Sequence, residues 1–292
     1  MVRYRIALLS DIHATMTALD AVLRAIEQFA PLDAVVIAGD FTYGPGQPAT
    51  LARLANYPVI AVCGNGDVEL LDYADGKSPA YKNWLKQFSL IRWSLKNTDH
   101  DSLSYLRSLP EQRVIEMPGA ASVRLVHGSP RRINEFLDPE KVPHLLEEVM
   151  NDLAEPVLVF GHTHRPLVQR RKKRLAVNPG AVSMAIGRPA TAYYAILDWQ
   201  EFNQCWEVHH FTAPYDADAV KKEFAESGLL DIPPLGPLLL DTCLTGKSVG
   251  VSYMRYAMKL AKEAGYRDLP YIPDDIWEQA AKTYFDRDAV WK

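Results

Sequence analysis

Short continuous apolar runs alternate with helical spacing through the first half of the chain. Tyr4 to Leu9, Ala34 to Ala38, Val59 to Val62, Val123 to Val126 and Pro156 to Phe160 are such runs. A strand covered on both faces reads this way, whereas a strand with one wet face alternates apolar and polar residues. After the first run, Leu19, Val22, Leu23, Ile26, Phe29 and Ala30 are spaced for one helix face. Strand–helix alternation of this kind predicts α/β layers.

Residues 79 to 109 read as mostly helical, with Trp84, Phe88, Ile91 and Leu95 on one side. Val142, Leu145, Leu146, Val149, Met150 and Leu153 mark an amphipathic helix. From Pro166 to Phe211, turns at Asn178-Pro179-Gly180 and Gly187-Arg188-Pro189 separate short strands, a β meander or hairpins. After Tyr215 the character changes. Ala217 to Ser227 is a polar helix stopped by Gly228, and Ile232 to Pro237 is a rigid connector. Two helices follow, one lined by Met254, Ala257, Met258 and Ala261, the other by Trp277, Ala280, Ala281 and Tyr284. The expected division is a domain over residues 1–215 and a helical C-terminal extension over 216–292, packed on that domain or on a partner copy in a homodimer. Tyr253, Tyr256, Trp277, Tyr284, Phe285 and Trp291 argue against an isolated exposed tail.

Composition excludes several classes. With 292 residues the chain can bury a full core without disulfides. A formal net charge of -4 disfavours a polybasic nucleic-acid binder. The basic run Arg170-Arg171-Lys172-Lys173-Arg174 reads as a solvated hairpin tip that blunts a sheet edge. Cys63, Cys205 and Cys243 are too few and too scattered for a disulfide framework, which fits a cytoplasmic protein. Cys63 reads as a small buried hydrophobe. No stretch approaches the ~18 apolar residues of a membrane span.

The chemistry sits where the strands end. The first run leads into Ser10-Asp11-Ile12-His13, the second into Gly39-Asp40, and the third into Gly64-Asn65-Gly66-Asp67. The fourth ends in His127-Gly128 and the fifth in Gly161-His162-Thr163-His164. Ligands of α/β sheets bind beyond the carboxyl ends of strands. Asp11, His13, Asp40, Asn65, His127, His162 and His164 could therefore converge. They offer oxygen and nitrogen without thiolate, and they are more than one metal usually takes. Two divalent ions sharing a carboxylate suit them, with Mn²⁺, Fe²⁺ or Zn²⁺ better matched to imidazole than Ca²⁺ or Mg²⁺. His100, His144, His209 and His210 lack such partners and read as structural.

These five blocks, in this order, resemble the signature of the calcineurin-like metallophosphoesterases, and most closely their small prokaryotic phosphodiesterase branch. Tyr43-Gly44-Pro45, His127-Gly128-Ser129-Pro130, His164-Arg165-Pro166 and Asn178-Pro179-Gly180 extend the match over roughly residues 3 to 215. The resemblance implies a four-layer α/β/β/α sandwich with metals at one sheet edge. It implies that Asp11, His13 and His164 hold one ion, that Asn65, His127 and His162 hold the other, and that Asp40 bridges them, with Mn²⁺ favoured. A small-molecule phosphate ester would then be hydrolysed by in-line attack of a metal-bound hydroxide, with Asn65 also orienting the phosphate.

The third block departs from the family pattern, because Gly66 stands where a histidine is usual, while Asp67 is kept. That histidine is thought to protonate the leaving group, beside an acid that orients it. Losing a general acid costs ~10²–10⁴-fold in rate. Weak monoesterase activity is expected, with a preference for phosphodiesters or activated leaving groups. Ala14-Thr15 replaces the Gly-Asn common in relatives. Arg131, Arg132 and Tyr43 are candidate substrate contacts, the arginines because guanidinium suits bidentate phosphate binding. The alternatives are a protein or small-molecule phosphomonoesterase and a non-catalytic metal-binding scaffold; the complete ligand set weighs against the scaffold.

Overall fold

β1 (Val2–Leu9), β2 (Ala34–Ile37) and β3 (Val59–Ala61) lie side by side and parallel in the computed structural model. On its other side β1 pairs antiparallel with β9 (Thr191–Gln200), which pairs with β10 (Cys205–Pro214). The first sheet therefore runs β10-β9-β1-β2-β3. The second consists of β4 (Gln112–Ile115), β5 (Val123–Val126), β6 (Val157–Val159), β8 (Arg174–Pro179) and β7 (Pro166–Arg171), in that spatial order. The structure describes residues 1–78, 85–267 and 271–288, with side chains up to residue 284. The expectations for Trp84, Trp291 and the Phe285 side chain lie outside the described residues.

The apolar runs are continuous because both faces of each strand are covered. Ile6 and Leu8 point one way, with Val36, Ala38 and Val62, to meet Leu125, Val157, Val159 and Val177 of the second sheet. Ala7, Leu9, Val35 and Ile37 point the other way, onto Leu19, Val22, Leu23 and Ile26 of α1 (Met16–Ile26). Leu158, Phe160 and Ala176 face outward from the second sheet onto Leu146, Val149 and Met150 of α6 (Leu145–Asp152). The order helix, sheet, sheet, helix is an α/β/β/α sandwich. The parallel strands of both sheets end at the edge that holds the acidic and histidine blocks.

Some boundaries differ from expectation. The region from 166 to 211 holds two hairpins in different sheets, and β9 and β10 are each 10 residues long rather than short. Before it, α2 (Gln47–Leu54) and α3 (Asn65–Ala74) are helices without a strong apolar stripe, and α4 (Ser89–Lys96) and α5 (His100–Ser108) divide the helical stretch. Leu235-Gly236-Pro237 opens α8 (Leu235–Thr245) instead of belonging to a connector. A proline fits there because the first N–H groups of a helix have no partner inside it.

α7 (Ala217–Glu226) and α8 pack on the sandwich, since Val220, Phe224, Leu229 and Cys243 join the cluster under the first sheet. α9 (Val249–Glu263) and α10 (Asp274–Asp288) build a cluster of their own around Tyr253 and Trp277, reached by Leu238 of α8. The inward face of α9 is Val249, Tyr253, Ala257 and Ala261. Met254 and Met258 point outward, because a face rotated by one residue takes in the larger Tyr253. Among the described residues no helix is long and apolar enough to cross a membrane.

Candidate metal centre

Three of the five blocks leave their strands through a backbone turn that side chains rarely adopt. Asp11, His13, Asp40, His162 and His164 all have positive φ, from 43° to 65°. Non-glycine residues held this way cost about 1–3 kcal/mol each and cluster at functional sites. The surrounding backbone fixes them: Asp11 N–H donates to Gly39 O and His13 N–H to Asp40 O, each at 3.0 Å. Ser183 N–H donates to Asp11 O, also at 3.0 Å.

The side chains converge. Asp11, His13 and His164 form one group whose donor atoms lie within 4.8 Å of one another, and Asp11, Asp40 and His127 form a second. Asp40 Oδ2 stands 3.8 Å from His13 Nε2 and 3.4 Å from His127 Nε2. Asn65 Oδ1 is 3.1 Å from His127 Nε2. The His162 ring meets that of His127 edge-on, 5.0 Å between centroids, and belongs to neither group.

Three imidazoles have their tautomers set by backbone carbonyls, which only accept. His13 Nδ1 donates to Thr42 O at 2.8 Å, His127 Nδ1 to Ala38 O at 2.7 Å, and His164 Nδ1 to Met184 O at 2.9 Å. Each ring therefore turns Nε2 toward the centre, as metal-binding histidines do. The Nε2 atoms of His13 and His164 then face one another at 3.2 Å. Burial keeps His13 below the ordinary imidazole range, so its Nε2 carries a lone pair and no proton. Asp11 Oδ1 is buried beside them with no hydrogen-bond partner among the described residues. Lone pairs and an unpaired carboxylate oxygen gathered in a buried space fit a divalent cation, and the mixed oxygen and imidazole donors fit Mn²⁺, Fe²⁺ or Zn²⁺.

A model of the calcineurin-like phosphoesterase superfamily domain matches residues 4–201. The chain belongs to this family. It is therefore a hydrolase acting on phosphoric esters. Phosphodiesterase YfcE of Escherichia coli is 28% identical over 200 residues, covering 65% of this chain and 84% of the relative. An uncharacterized protein of Methanocaldococcus jannaschii is 28% identical over 221 residues, covering 69% and 86%. The crystal structure of a metallophosphoesterase from Sphaerobacter thermophilus superposes with a TM-score of 0.63 at 26% identity, over 82% of this chain and 99% of that one.

The remaining candidates sit around this centre. Gly66 has no room for a side chain: a Cβ there would lie 2.9 Å from Cδ2 and Cε2 of the Tyr43 ring and 3.2 Å from Thr42 Oγ1. The Tyr43 ring therefore fills the direction a side chain at this position would take, and its hydroxyl donates to Glu69 at 2.9 Å. Arg131 and Arg132 both hold Glu135, each at 3.1 Å.

Asp67 is fully buried. Its carboxylate accepts from Phe41 N–H at 2.9 Å, Thr42 N–H at 3.1 Å and Gly64 N–H at 2.8 Å. It thus ties the loop after β2 to the start of α3. Burial first, and the neighbouring Asp40 second, push its carboxyl up to about 7. A carboxyl free in the unfolded chain titrates near ~3.9. The protonated form thus favours the fold, and that contribution is lost as pH rises from about 4 to 7. The metal-free protein should lose stability across that window, and Asp67→Asn should flatten the loss. Denaturant midpoints measured from pH 4 to 8 for both proteins check this; equal slopes would contradict it.

Proposed function

We propose that the centre holds two divalent cations and that the protein hydrolyses phosphodiesters in preference to phosphomonoesters. The observation that carries this reading is the facing pair of Nε2 atoms of His13 and His164, 3.2 Å apart with both Nδ1 atoms committed elsewhere. Asp11, His13 and His164 would hold one ion, and Asn65, His127 and His162 the other. The position of Asp40 Oδ2 between His13 and His127 supports a shared ligand there. Such a pair of ions clamps a phosphoryl group and lowers the pKa of a nearby water, and Mn²⁺ is the favoured metal.

The chain's own residues do the rest. Asn65 gives its amide oxygen toward His127 and keeps its NH₂ for a phosphate oxygen. Asp67 holds the loops that carry Asp40 and Asn65. Gly66 offers no proton to a leaving group, so poor alkoxide leaving groups depart unaided. Tyr43, Arg131 and Arg132 remain proposed substrate contacts; Tyr43 would have to release Glu69, and the two arginines Glu135, to reach a phosphate. The phosphodiesterase name of the Escherichia coli relative points the same way. The three free cysteines support a cytoplasmic setting. The exposed Val251, Met254 and Met258 on α9 are the residues a homodimer through the C-terminal helices would cover.

Comparing p-nitrophenyl phosphate with bis-p-nitrophenyl phosphate on Mn²⁺-loaded protein tests the reading. The diester should turn over faster. A faster monoester would overturn the preference, and no turnover with Mn²⁺, Fe²⁺ or Zn²⁺ would favour a scaffold.

Cation binding should also release a proton. Burial opposes charge on His127, but Asp40 and then Asp11 overcome it and lift the ring to about 10. Below that pH the ring must lose its proton before Nε2 can donate to a metal, so Mn²⁺ affinity should rise with pH up to about 10. Titration calorimetry in buffers of different ionisation enthalpy counts the proton, and a buffer-independent heat would rule it out.

A further inference from the structure

The N-terminus of α1 begins three residues after His13, and the chain leading into it does not cap it. Thr15, at the N-cap position, makes no side-chain bond to the helix, and the first turn holds no acidic residue. The Thr15 hydroxyl is spent instead on His13 O at 3.0 Å and on Ser183 Oγ at 2.7 Å. The free N–H groups of the first turn find their acceptor in α7. Glu223 Oε1 accepts from Met16 N–H at 2.6 Å. Glu223 Oε2 accepts from Thr17 N–H at 3.0 Å and from the Thr17 hydroxyl at 2.7 Å. Glu223 lies beyond the residues 4–201 that match the family domain.

The same carboxylate lies beside the turn that presses on the His13 loop. A Cβ on Gly46 would stand 3.5 Å from Glu223 Oε1, and Gly46 N–H donates to Ala14 O at 2.8 Å. A Cβ on Gly44 would fall 1.6 Å from His13 O, so that turn lies directly on the histidine backbone. His13 and Ala14 both hold φ of 43°. A strained loop keeps such a shape only when its surroundings fix it from several sides. Here they are the turn at Gly44–Gly46, the Ser183 contact and the Glu223 clasp, whose charge also suits the positive end of the α1 dipole.

We propose that Glu223 is a positioning residue: by clasping the N-terminus of α1 it holds the Asp11–Thr15 loop in the shape in which Asp11 and His13 take a cation with His164. The inference rests on the two-ion reading of the centre. It assigns the C-terminal extension a task at the site, and it makes the two cation positions unequally dependent on that extension. His127 and Asn65 belong to loops after β5 and β3, which Glu223 does not touch.

Calorimetric titration of Mn²⁺ into the metal-free full chain tests it, alongside Glu223→Ala, Glu223→Gln and, as a control on the same helix, Glu226→Ala, whose exposed side chain pairs only with Lys222 among the described residues. Glu223→Ala should weaken one of the two binding steps about 10–100-fold, the scale found when a residue behind a metal ligand is removed. The other step should stay within about twofold. Glu223→Gln keeps the shape and one acceptor oxygen and should fall between. Electron paramagnetic resonance should show the spin-coupled Mn²⁺ pair of the parent replaced by an isolated ion at equal loading. Equal weakening of both steps, or none, would overturn the inference while leaving the two-ion reading intact. Failure of the parent to bind Mn²⁺ would remove both. If Glu223→Ala does not fold, Glu223→Gln with an unchanged metal-free melting temperature decides by the same two readouts.

Discussion

Asp40→Ala should lower diester turnover by more than ~100-fold, because removing even the group behind a metal ligand costs 10–100-fold. The carboxylate is 4% exposed and organises three neighbours. Its Oδ1 accepts from Gly66 N–H at 2.9 Å, and its Oδ2 faces both His13 and His127. Burial works against the ionised form, yet His127 and then His13 hold it well below the usual carboxylate range. Without Asp40, burial lowers His127, and the stability its charge lends is lost. In the parent that contribution is present below the unfolded value of ~6.5 and fades as pH climbs to about 10. The variant should therefore show a flatter stability profile over that range, with about 1–3 kcal/mol lost for the unmet Gly66 N–H. Turnover, denaturant midpoints from pH 6 to 10 and imidazole titration by NMR report on it. Turnover near the parent level in a folded, Mn²⁺-loaded variant would refute the role given to this residue.

Gly64→Ala should do comparable damage from the other side of the same carboxylate. The backbone at Gly64, φ -98° and ψ 176°, suits any residue, so the objection is contact alone. A Cβ would lie 2.0 Å from Asp40 Oδ1 and 2.3 Å from Asp40 N. The carboxylate could swing away, but the backbone nitrogen could not without parting the ends of β2 and β3. Gly39 guards the reverse approach, since a Cβ on it would be 2.7 Å from Gly64 N. Overpacking of this kind costs about 1–3 kcal/mol, a drop of roughly 2–5 °C in Tm for a chain of this size. Diester turnover should fall with it by more than ~100-fold, as Asp40 is displaced. The double variant Asp40→Ala/Gly64→Ala should melt no higher than Gly64→Ala, because the clash with the nitrogen persists. Recovery of Tm in the double variant would show that only the side chain was in the way.

The layers were legible because burial on both faces writes itself into a strand as an unbroken apolar run, and because a catalytic loop needs polar residues where that run stops. Asp11, His13, Asp40, His127 and His164 could be named from that pattern and do come together. The groups that orient the rings could not be named, since Thr42, Ala38 and Met184 act through carbonyls that every residue has. The partner of Arg131 and Arg132 is readable in Glu135, four and three residues on. Glu223 left no local trace: it sits after two lysines on a polar helix, and only the uncapped start of α1, some 200 residues earlier, calls for it. Gly66 was visible as an anomaly, but its cause was not, because the ring that fills the space belongs to a different loop.

The pairing of β1 with β9, in which Val2 faces Gln200, also governs the order in which the molecule can be made. A nascent chain releases its first strand long before the ribosome has read the codons for its neighbour on that side. Until then the edge of β1 is bare, an invitation to other chains. Contacts so distant in sequence also slow folding. Cells producing this protein should therefore accumulate insoluble fragments when translation stops just short of β9, even though all five strand-end blocks have by then been synthesised.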